Sequence, residues 1–229
     1  FNHDTWQVEP DDLAEVLTDR TRLVALNYAS NLTGSVNDIK ALAKLAKDVG
    51  AMVFVDAVQF APHHLLDVQA IGCDFLACSS YKFFGPHLGL VWAREELLQS
   101  LYPYKGRCVS NDTPDRFESG TPQYELLAGL SATVAYFEQI GGLRNATDNR
   151  RELITSAFRM SRNYEEPLTN KLIEGLQQIP GISIYGITNS NRMHERVPTV
   201  SIRHSKVSPS DIARKLSDEN IFVWHGHNY

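Results

Sequence analysis

Short apolar runs alternate with amphipathic patterns along the first hundred residues. The runs, which are expected to form strands, cover residues 22–28, 52–55, 75–78 and 88–92. Between the first two runs, apolar residues recur at helical spacing, and Gly50 follows where a C-cap glycine would stand. Because the second and third runs are apolar throughout, they predict buried parallel strands. The pattern indicates an α/β layer fold, which binds ligands at the carboxyl ends of its strands.

The second half of the chain has longer helical patterns and fewer apolar runs. A long helix is expected after Gly120-Thr121-Pro122, with Pro122 in its first turn, and a second helical stretch from residue 143 to about 176 should break or kink at Pro167. The remaining predicted elements are strands at 182–185 and 199–202, a helix from the capping sequence at Ser208 to Glu219, and a last strand at 221–224. This region predicts a smaller α+β domain.

Composition and charge narrow the class of protein. Of the 229 residues 43% are apolar, which is enough for a full core, and the net charge of −5 leaves no basic stripe for nucleic acid. Three cysteines are too few for a disulfide framework, so we expect a reducing, cytoplasmic compartment. No apolar run approaches the length of a membrane helix. Because the chain opens at Phe1 without a signal peptide, we expect a soluble segment of a longer protein.

Two charged residues follow neighbouring apolar runs. Asp56 ends the second run, where a buried carboxylate would need a partner, and Lys82 lies just past the third run. A simple ion pair between them is one interpretation. The other is that they hold opposite ends of one cofactor, because lysine forms Schiff bases and pyridoxal phosphate enzymes need a carboxylate at the pyridinium nitrogen.

Several linked motifs carry a family resemblance. They are Val53-Phe54-Val55-Asp56-Ala57-Val58-Gln59, Pro62-His63, Asp67-Val68, Cys73-Asp74-Phe75, Ser79-Ser80-Tyr81-Lys82, Gly85-Pro86, and the flanking Ser30-Asn31 and Phe117-Glu118-Ser119-Gly120-Thr121-Pro122. In order and spacing they resemble the class V aminotransferase family, in its cysteine desulfurase and selenocysteine lyase branch. The resemblance is consistent from about residue 10 to 142 and looser to residue 229. It implies a fold type I pyridoxal phosphate transferase, with a mostly parallel sheet flanked by helices and a smaller α+β C-terminal domain.

The resemblance also implies roles for two charged residues and two amides. Lys82 would form the Schiff base with pyridoxal 5'-phosphate and later move the substrate's α-proton. Asp56 would bind the pyridinium nitrogen. Gln59 would hydrogen-bond the cofactor's phenolic oxygen, and Asn31 would lie toward the cofactor ring and the substrate carboxylate. Taken alone, Gln59 and Asn31 would be surface or turn residues.

Three hydroxyl residues complete the implied cofactor site. Ser79 would hold the phosphate, and Tyr81, which stands where the family commonly has a histidine, keeps a hydroxyl that can donate. Thr121 would hold the phosphate in the partner subunit's site, so the resemblance implies a homodimer with shared active sites. An ordinary strand-end serine is the other interpretation of Ser79, and a helix N-cap is the other interpretation of Thr121.

The end of the chain departs from the family pattern. On the family alignment Trp224 stands at an arginine position and Tyr229 at the position of the persulfide-forming cysteine, and tyrosine cannot accept sulfur as a thiolate does. Cys108 follows two cations but lies outside the nucleophile position, so an inert loop cysteine is expected. Cys73 and Cys78 are expected in the core. Histidines such as His225 and His227 suggest a metal site, but no cluster completes a ligand set, and no metal is expected.

These observations predict part of a large cofactor-binding domain in residues 1–142, and a linker helix with part of a small C-terminal domain in residues 143–229. The expected function is a pyridoxal phosphate enzyme, transferase or lyase, that acts on the α-amino group of a small amino acid. Desulfuration, lyase, epimerase and transaminase chemistry all remain open. The alternative is a cofactor-degenerate member of the fold that serves as a binding or scaffold protein.

Overall fold

The computed structural model describes residues 1–226, and these fall into two compact units. The sheet unit comprises residues 10–28 and 38–161. The C-terminal unit comprises residues 1–9, 29–37 and the described residues from 162 onward. Both units are therefore assembled from discontinuous segments, whereas the sequence predicted a single boundary after residue 142. Which unit serves as the cofactor-binding domain stays a prediction.

The sheet unit is built on four strands. They are β1 (Leu23–Asn27), β2 (Met52–Asp56), β3 (Phe75–Ser79) and β4 (Gly89–Ala93), and they lie side by side in that order. The first three are parallel, and β4 is antiparallel to β3. Parallel strands end at one edge of the sheet, so Asn27, Asp56 and Ser79 all lie at the carboxyl edge. The prediction of a mostly parallel sheet is confirmed.

Helices flank this sheet and lie before, between and after its strands in the chain. The sheet unit contains α1 (Pro10–Val16), α2 (Ile39–Asp48), α3 (Val68–Ile71), α4 (Glu95–Ser100), α5 (Tyr124–Gly142) and the first part of α6 (Arg150–Gln177). The apolar stripe of α2 is buried because α2 packs on β1 and β2, whose alternate residues Val24, Leu26, Val53 and Val55 are also buried. Gly50 adopts a positive φ just after α2, as the sequence predicted.

The C-terminal unit pairs two strands with a helix. The antiparallel strands are β5 (Ile182–Tyr185) and β6 (Ser201–His204), and the helix is α7 (Pro209–Asp218). Ser208 caps α7 by accepting from the Asp211 amide, which confirms the predicted capping sequence. A small core of Ile173, Ile187 and Met193 is buried in this unit. Among the described residues, no helix combines the length and apolar character that crossing a bilayer requires.

Three predictions about helices and strands are wrong. The helix α6 runs from Arg150 to Gln177 through Pro167, so the predicted break is wrong, whereas a kink there stays a prediction. A proline removes only one hydrogen bond, and the flanking residues supply the rest of the helix. The helix α5 begins at Tyr124, so Pro122 precedes it. Residues 221–224 are exposed and form no strand, since no neighbouring strand in the described chain pairs with them.

Candidate functional site

The carboxyl edge of the sheet carries Asp56. Its carboxylate accepts a hydrogen bond of 2.9 Å from the Val58 amide, which fixes the first residues of the turn after β2. The side chain is exposed, and the Val58 amide supplies the donor partner that the sequence predicted for it. The β2 and β3 ladder aligns Asp56 with Ala77, two residues before the end of β3. Asp56 thus lies at the sheet edge from which the Lys82 turn departs.

Lys82 follows β3 in a 3₁₀ turn formed by Ser80–Phe83. Its side chain is exposed, and its ammonium lies 5.5 Å from the centroid of the Tyr81 ring. No ion pair joins Lys82 to Asp56 within residues 1–226. The simple ion pair that the sequence allowed is therefore not formed, and both charged groups remain available to a ligand.

The turn that bears Gln59 is braced by an aromatic stack. The rings of Tyr28 and Phe60 are nearly parallel, with centroids 3.7 Å apart. The imidazole ring of His64 also stacks on the Phe60 ring, with centroids 4.6 Å apart. Burial is the main cause that raises the pKa of Tyr28, so its hydroxyl stays protonated at neutral pH. Gln59 is half-buried beside Phe60 in the chain. The stack holds the turn after β2 against the end of β1.

The predicted hydroxyl residues of the sheet unit are accessible and do not cap helices. Ser79 ends β3 and is half-buried, and its side chain makes no capping bond to the following 3₁₀ turn. Tyr81 is 47% exposed and stacks on His87, with ring centroids 5.0 Å apart. Thr121 is exposed, and the N-cap of α5 is Gln123, so the N-cap interpretation of Thr121 is wrong.

Asn31 belongs to the C-terminal unit, where it is exposed in the turn between Ala29 and Val36. This turn is held by Arg196, which is only 4% exposed and donates hydrogen bonds to the carbonyls of Thr33, Ile187, Val197 and Thr199. Burial lowers the pKa of Arg196 to about 10, which still leaves the guanidinium charged at neutral pH. A buried, carbonyl-bound arginine thus fixes the segment that carries Asn31.

A close approach of backbones explains the glycine in the same turn. Gly34 has a φ of +77°, and a β-carbon there would lie 2.4 Å from the Thr199 carbonyl oxygen. Both the backbone angle and the lack of space require glycine at this position. Arg196 was not identified from the sequence as a residue that supports the site. Its position between Glu195 and the apolar Val197-Pro198 was the signal in the sequence that could have indicated a buried cation.

Among the described residues, the cysteines and the possible metal-binding side chains form no second functional site. Burial raises the pKa of both Cys73 and Cys78, which keeps them as thiols at neutral pH. Cys73 is fully buried, as predicted, Cys78 is half-buried, and Cys108 is exposed. In the described part of the chain, no group of three or more His, Cys, Asp or Glu side chains is arranged to hold a metal. Trp224 is 84% exposed, whereas His227 and Tyr229 lie outside the described residues.

The donor set fits pyridoxal phosphate. The exposed carboxylate of Asp56 ends one strand, the exposed amine of Lys82 follows the neighbouring strand, and neither is neutralised by an ion pair with the other. Ser79 and Tyr81 add hydroxyls on both sides of the buried Ser80 in the same segment. An amine, a carboxylate and hydroxyls match, in that order, the carbonyl, the ring nitrogen and the phosphate of the group.

Comparison with known proteins gives a consistent result. A probable cysteine desulfurase of Streptomyces coelicolor is 31% identical over 98% of this chain, and an aminotransferase-like protein, FGM3, of Gibberella zeae is 34% identical over 92%. The apo structure of the cysteine desulfurase from Thermococcus onnurineus NA1 superposes with a TM-score of 0.83 at 29% identity, over 99% of this chain and 55% of that one.

The chain spans about half the length of the curated relatives it matches, 52% of the Streptomyces protein and 49% of the Gibberella protein. Residues 2–229 match the sequence model described as aminotransferase class-V. The matched range covers almost the whole chain. The chain belongs to the aminotransferase class-V family, whose enzymes use pyridoxal phosphate.

Proposed function

We propose that the protein to which this chain belongs is a pyridoxal phosphate enzyme that acts on the α-amino group of a small amino acid. The observation that carries the proposal is the pair of Asp56 and Lys82. Asp56 ends β2 and Lys82 follows the neighbouring parallel strand β3 at the same sheet edge; both are exposed, and no ion pair joins them within residues 1–226. A structural ion pair would have consumed both charges, whereas a cofactor between them needs both.

In this proposal Lys82 is the catalytic residue. Its Nζ would hold the cofactor through the cofactor's carbonyl group and, when free of it, would take up and return the proton at the substrate's α-carbon. When bound, the cofactor supplies an electron sink for the bonds at that carbon. The carboxylate of Asp56 would keep a proton on the pyridine nitrogen, since an opposite charge favours the protonated form.

Polar groups around this pair orient the cofactor. The Gln59 amide would donate to the phenolic oxygen, and the hydroxyls of Ser79 and Tyr81 would donate to the phosphate. Asn31 would face the ring and the substrate carboxylate. Thr121 would reach the phosphate in the site of a second copy, so that the protein works as a homodimer. The proposed location of the enzyme is the cytoplasm.

The overall reaction is open between two classes. Cysteine desulfuration is favoured by the relatives that carry that name, in Streptomyces coelicolor and Thermococcus onnurineus. An aminotransferase-like reaction is favoured by the Gibberella relative and by the family alignment, which puts Tyr229 where a persulfide needs a cysteine. Cys108 is the one exposed thiol among the described residues, and it does not stand at the family's position for the persulfide-forming cysteine.

Product analysis with pyridoxal phosphate tests the proposal. Incubation with L-cysteine is expected to release alanine and sulfide if the enzyme is a desulfurase. Transfer of the amino group from an added amino acid to an added α-keto acid, which yields the two exchanged products, would identify a transaminase. Lys82→Ala is expected to abolish either reaction, and Cys108→Ser is expected to leave it unchanged. A protein that binds pyridoxal phosphate without acting on any amino acid would instead be the cofactor-degenerate binding or scaffold member of the family.

A further inference from the structure

Ser80 is a fully buried polar residue two positions before Lys82. Its side chain is 0% exposed, although Tyr81 and Lys82 beside it are both exposed. A buried hydroxyl must find an acceptor, because leaving it without one costs the free energy of its lost hydration. The acceptors of the Ser80 hydroxyl therefore show which segment of the chain this side chain holds in place.

Both partners of the Ser80 hydroxyl lie on the far side of the Lys82 loop. The Oγ donates to the carbonyl of Pro86 at 2.5 Å and is also 3.1 Å from the carbonyl of Leu88. A hydroxyl carries one proton, so the two carbonyls share it. The bond therefore spans six to eight residues and closes the segment that contains Lys82.

The backbone of Ser80 closes the same loop. Its amide donates to the Leu88 carbonyl at 3.0 Å, and its carbonyl accepts from the amides of Phe84 and Gly85. Every hydrogen-bonding group of Ser80 is thus engaged with residues 84–88. We call residues 80–88 the lysine loop.

The lysine loop is tightly packed where Ser80 and Gly85 meet at its base. A β-carbon on Gly85 would lie 2.7 Å from Cβ of Ser80 and 2.9 Å from the Ser80 carbonyl oxygen. The exposed residues Tyr81, Lys82, Phe84 and His87 therefore extend from a base that is tightly packed around one buried side chain. The orientation of Lys82 depends on that base.

We propose that the Ser80 hydroxyl is a positioning group for Lys82: by tying Pro86 and Leu88 to the start of the lysine loop, it holds the amine in the orientation that reaches the cofactor's carbonyl. The inference rests on the proposed function, because it assigns Lys82 the cofactor. It adds a role for a buried residue that touches neither cofactor nor substrate.

The test compares Ser80→Ala with Ser156→Ala. Ser156 is a matched control, because its hydroxyl also donates to a backbone carbonyl, that of Gly141, in the same unit but on α5 and α6. The first readout is amide hydrogen exchange of the lysine loop in the protein without cofactor. The second is the formation constant of the absorbing adduct when pyridoxal phosphate is added. Ser80→Cys, which retains a weak donor of similar size, supplies a graded variant.

Ser80→Ala is expected to speed exchange in residues 84–88 and to weaken adduct formation, each by about three- to tenfold, the loss expected from one net hydrogen bond. Ser80→Cys should fall between wild type and Ser80→Ala, and Ser156→Ala should change neither readout even if it lowers the unfolding temperature. Unchanged exchange in Ser80→Ala would overturn the positioning role alone. A wild-type protein that forms no adduct would overturn the proposed function together with it.

Discussion

The phenol ring of Tyr81 stacks on the imidazole ring of His87, with centroids 5.0 Å apart and planes 10° from parallel. The two residues lie on opposite sides of Lys82 in the chain, and the Lys82 ammonium lies 5.5 Å from the Tyr81 ring. The stack gives the Tyr81 ring a fixed orientation and leaves the residue 47% exposed. Its hydroxyl is therefore accessible to a ligand beside Lys82.

Tyr81→Phe keeps the stack and removes only the hydroxyl. If that hydroxyl donates to the cofactor's phosphate, the dissociation constant for pyridoxal phosphate should rise about tenfold or more, as for loss of a hydrogen bond to a charged group. Equilibrium dialysis measures it. Tyr102→Phe, which alters a tyrosine that is 81% exposed, is the control and should have no effect. Equal affinities in wild type and Tyr81→Phe would contradict a phosphate contact.

The Asp56→Asn variant removes the negative charge of this side chain and keeps its hydrogen-bonding role in the fold. The asparagine oxygen can still accept from the Val58 amide, so the turn after β2 should survive, while the negative charge for the pyridine nitrogen is lost. We expect the turnover number to fall by about 100- to 1,000-fold with an unchanged unfolding temperature. Asp67→Asn is the matched control, because Asp67 also accepts from backbone amides at the start of α3. Full turnover in Asp56→Asn would exclude Asp56 from the chemistry.

Gly85→Ala tests the packing at the base of the lysine loop. The new β-carbon would lie 2.7 Å from Cβ of Ser80, so we expect a loss of about 1–3 kcal/mol in the free energy of unfolding. Gly142→Ala, at the end of α5, meets no atom within 4 Å and should change stability by well under that amount. Urea denaturation of both variants provides the comparison. Equal stabilities would show that the loop relaxes freely around Ser80.

Arg196→Met removes the cation that holds the Asn31 turn. Four backbone carbonyls lose their donor, and we expect a cost of about 1–3 kcal/mol, with faster amide exchange in residues 30–36. The pKa of Arg196 is lowered to about 10, so the guanidinium is charged in both folded and unfolded states below pH 9, and the cost should be constant from pH 6 to 9. Above pH 10, and up to the higher pKa that the guanidinium has in the unfolded chain, the unfolded state binds more protons, so wild-type stability gains from this group as pH rises.

Arg203→Met in β6 is the control for that measurement, because Arg203 is exposed. It should leave both stability and exchange in residues 30–36 unchanged. Identical exchange in Arg196→Met and wild type would mean that the turn is held by its own backbone bonds, from Ser30 to Ser35 and from Gly34 to Ser30.

The sequence pattern was sufficient for features that depend on neighbouring residues along the chain. The ends of β2 and β3, and with them Asp56 and the Lys82 turn, follow from apolar runs and their polar boundaries. The cap at Ser208 follows from local hydrogen bonding. By contrast, an apolar run at 221–224 predicted a strand that needs a partner, and pairing is a long-range property that a local pattern does not contain.

Features that join distant segments were also missed. The burial of Ser80 depends on Pro86 and Leu88, and the burial of Arg196 depends on Thr33, which is 163 positions away. The expected break at Pro167 did not form, because the proline removes only one hydrogen bond of α6 and the flanking residues continue the helix.

Borohydride trapping at Lys82 tests the central claim most directly. The protein is incubated with pyridoxal phosphate, reduced with sodium borohydride and digested, and the modified lysine is located by mass spectrometry. We expect one stoichiometric adduct on Lys82, retained in Lys105→Ala and lost in Lys82→Ala. An adduct that persists unchanged in Lys82→Ala, or that spreads over exposed lysines such as Lys44, would contradict the account.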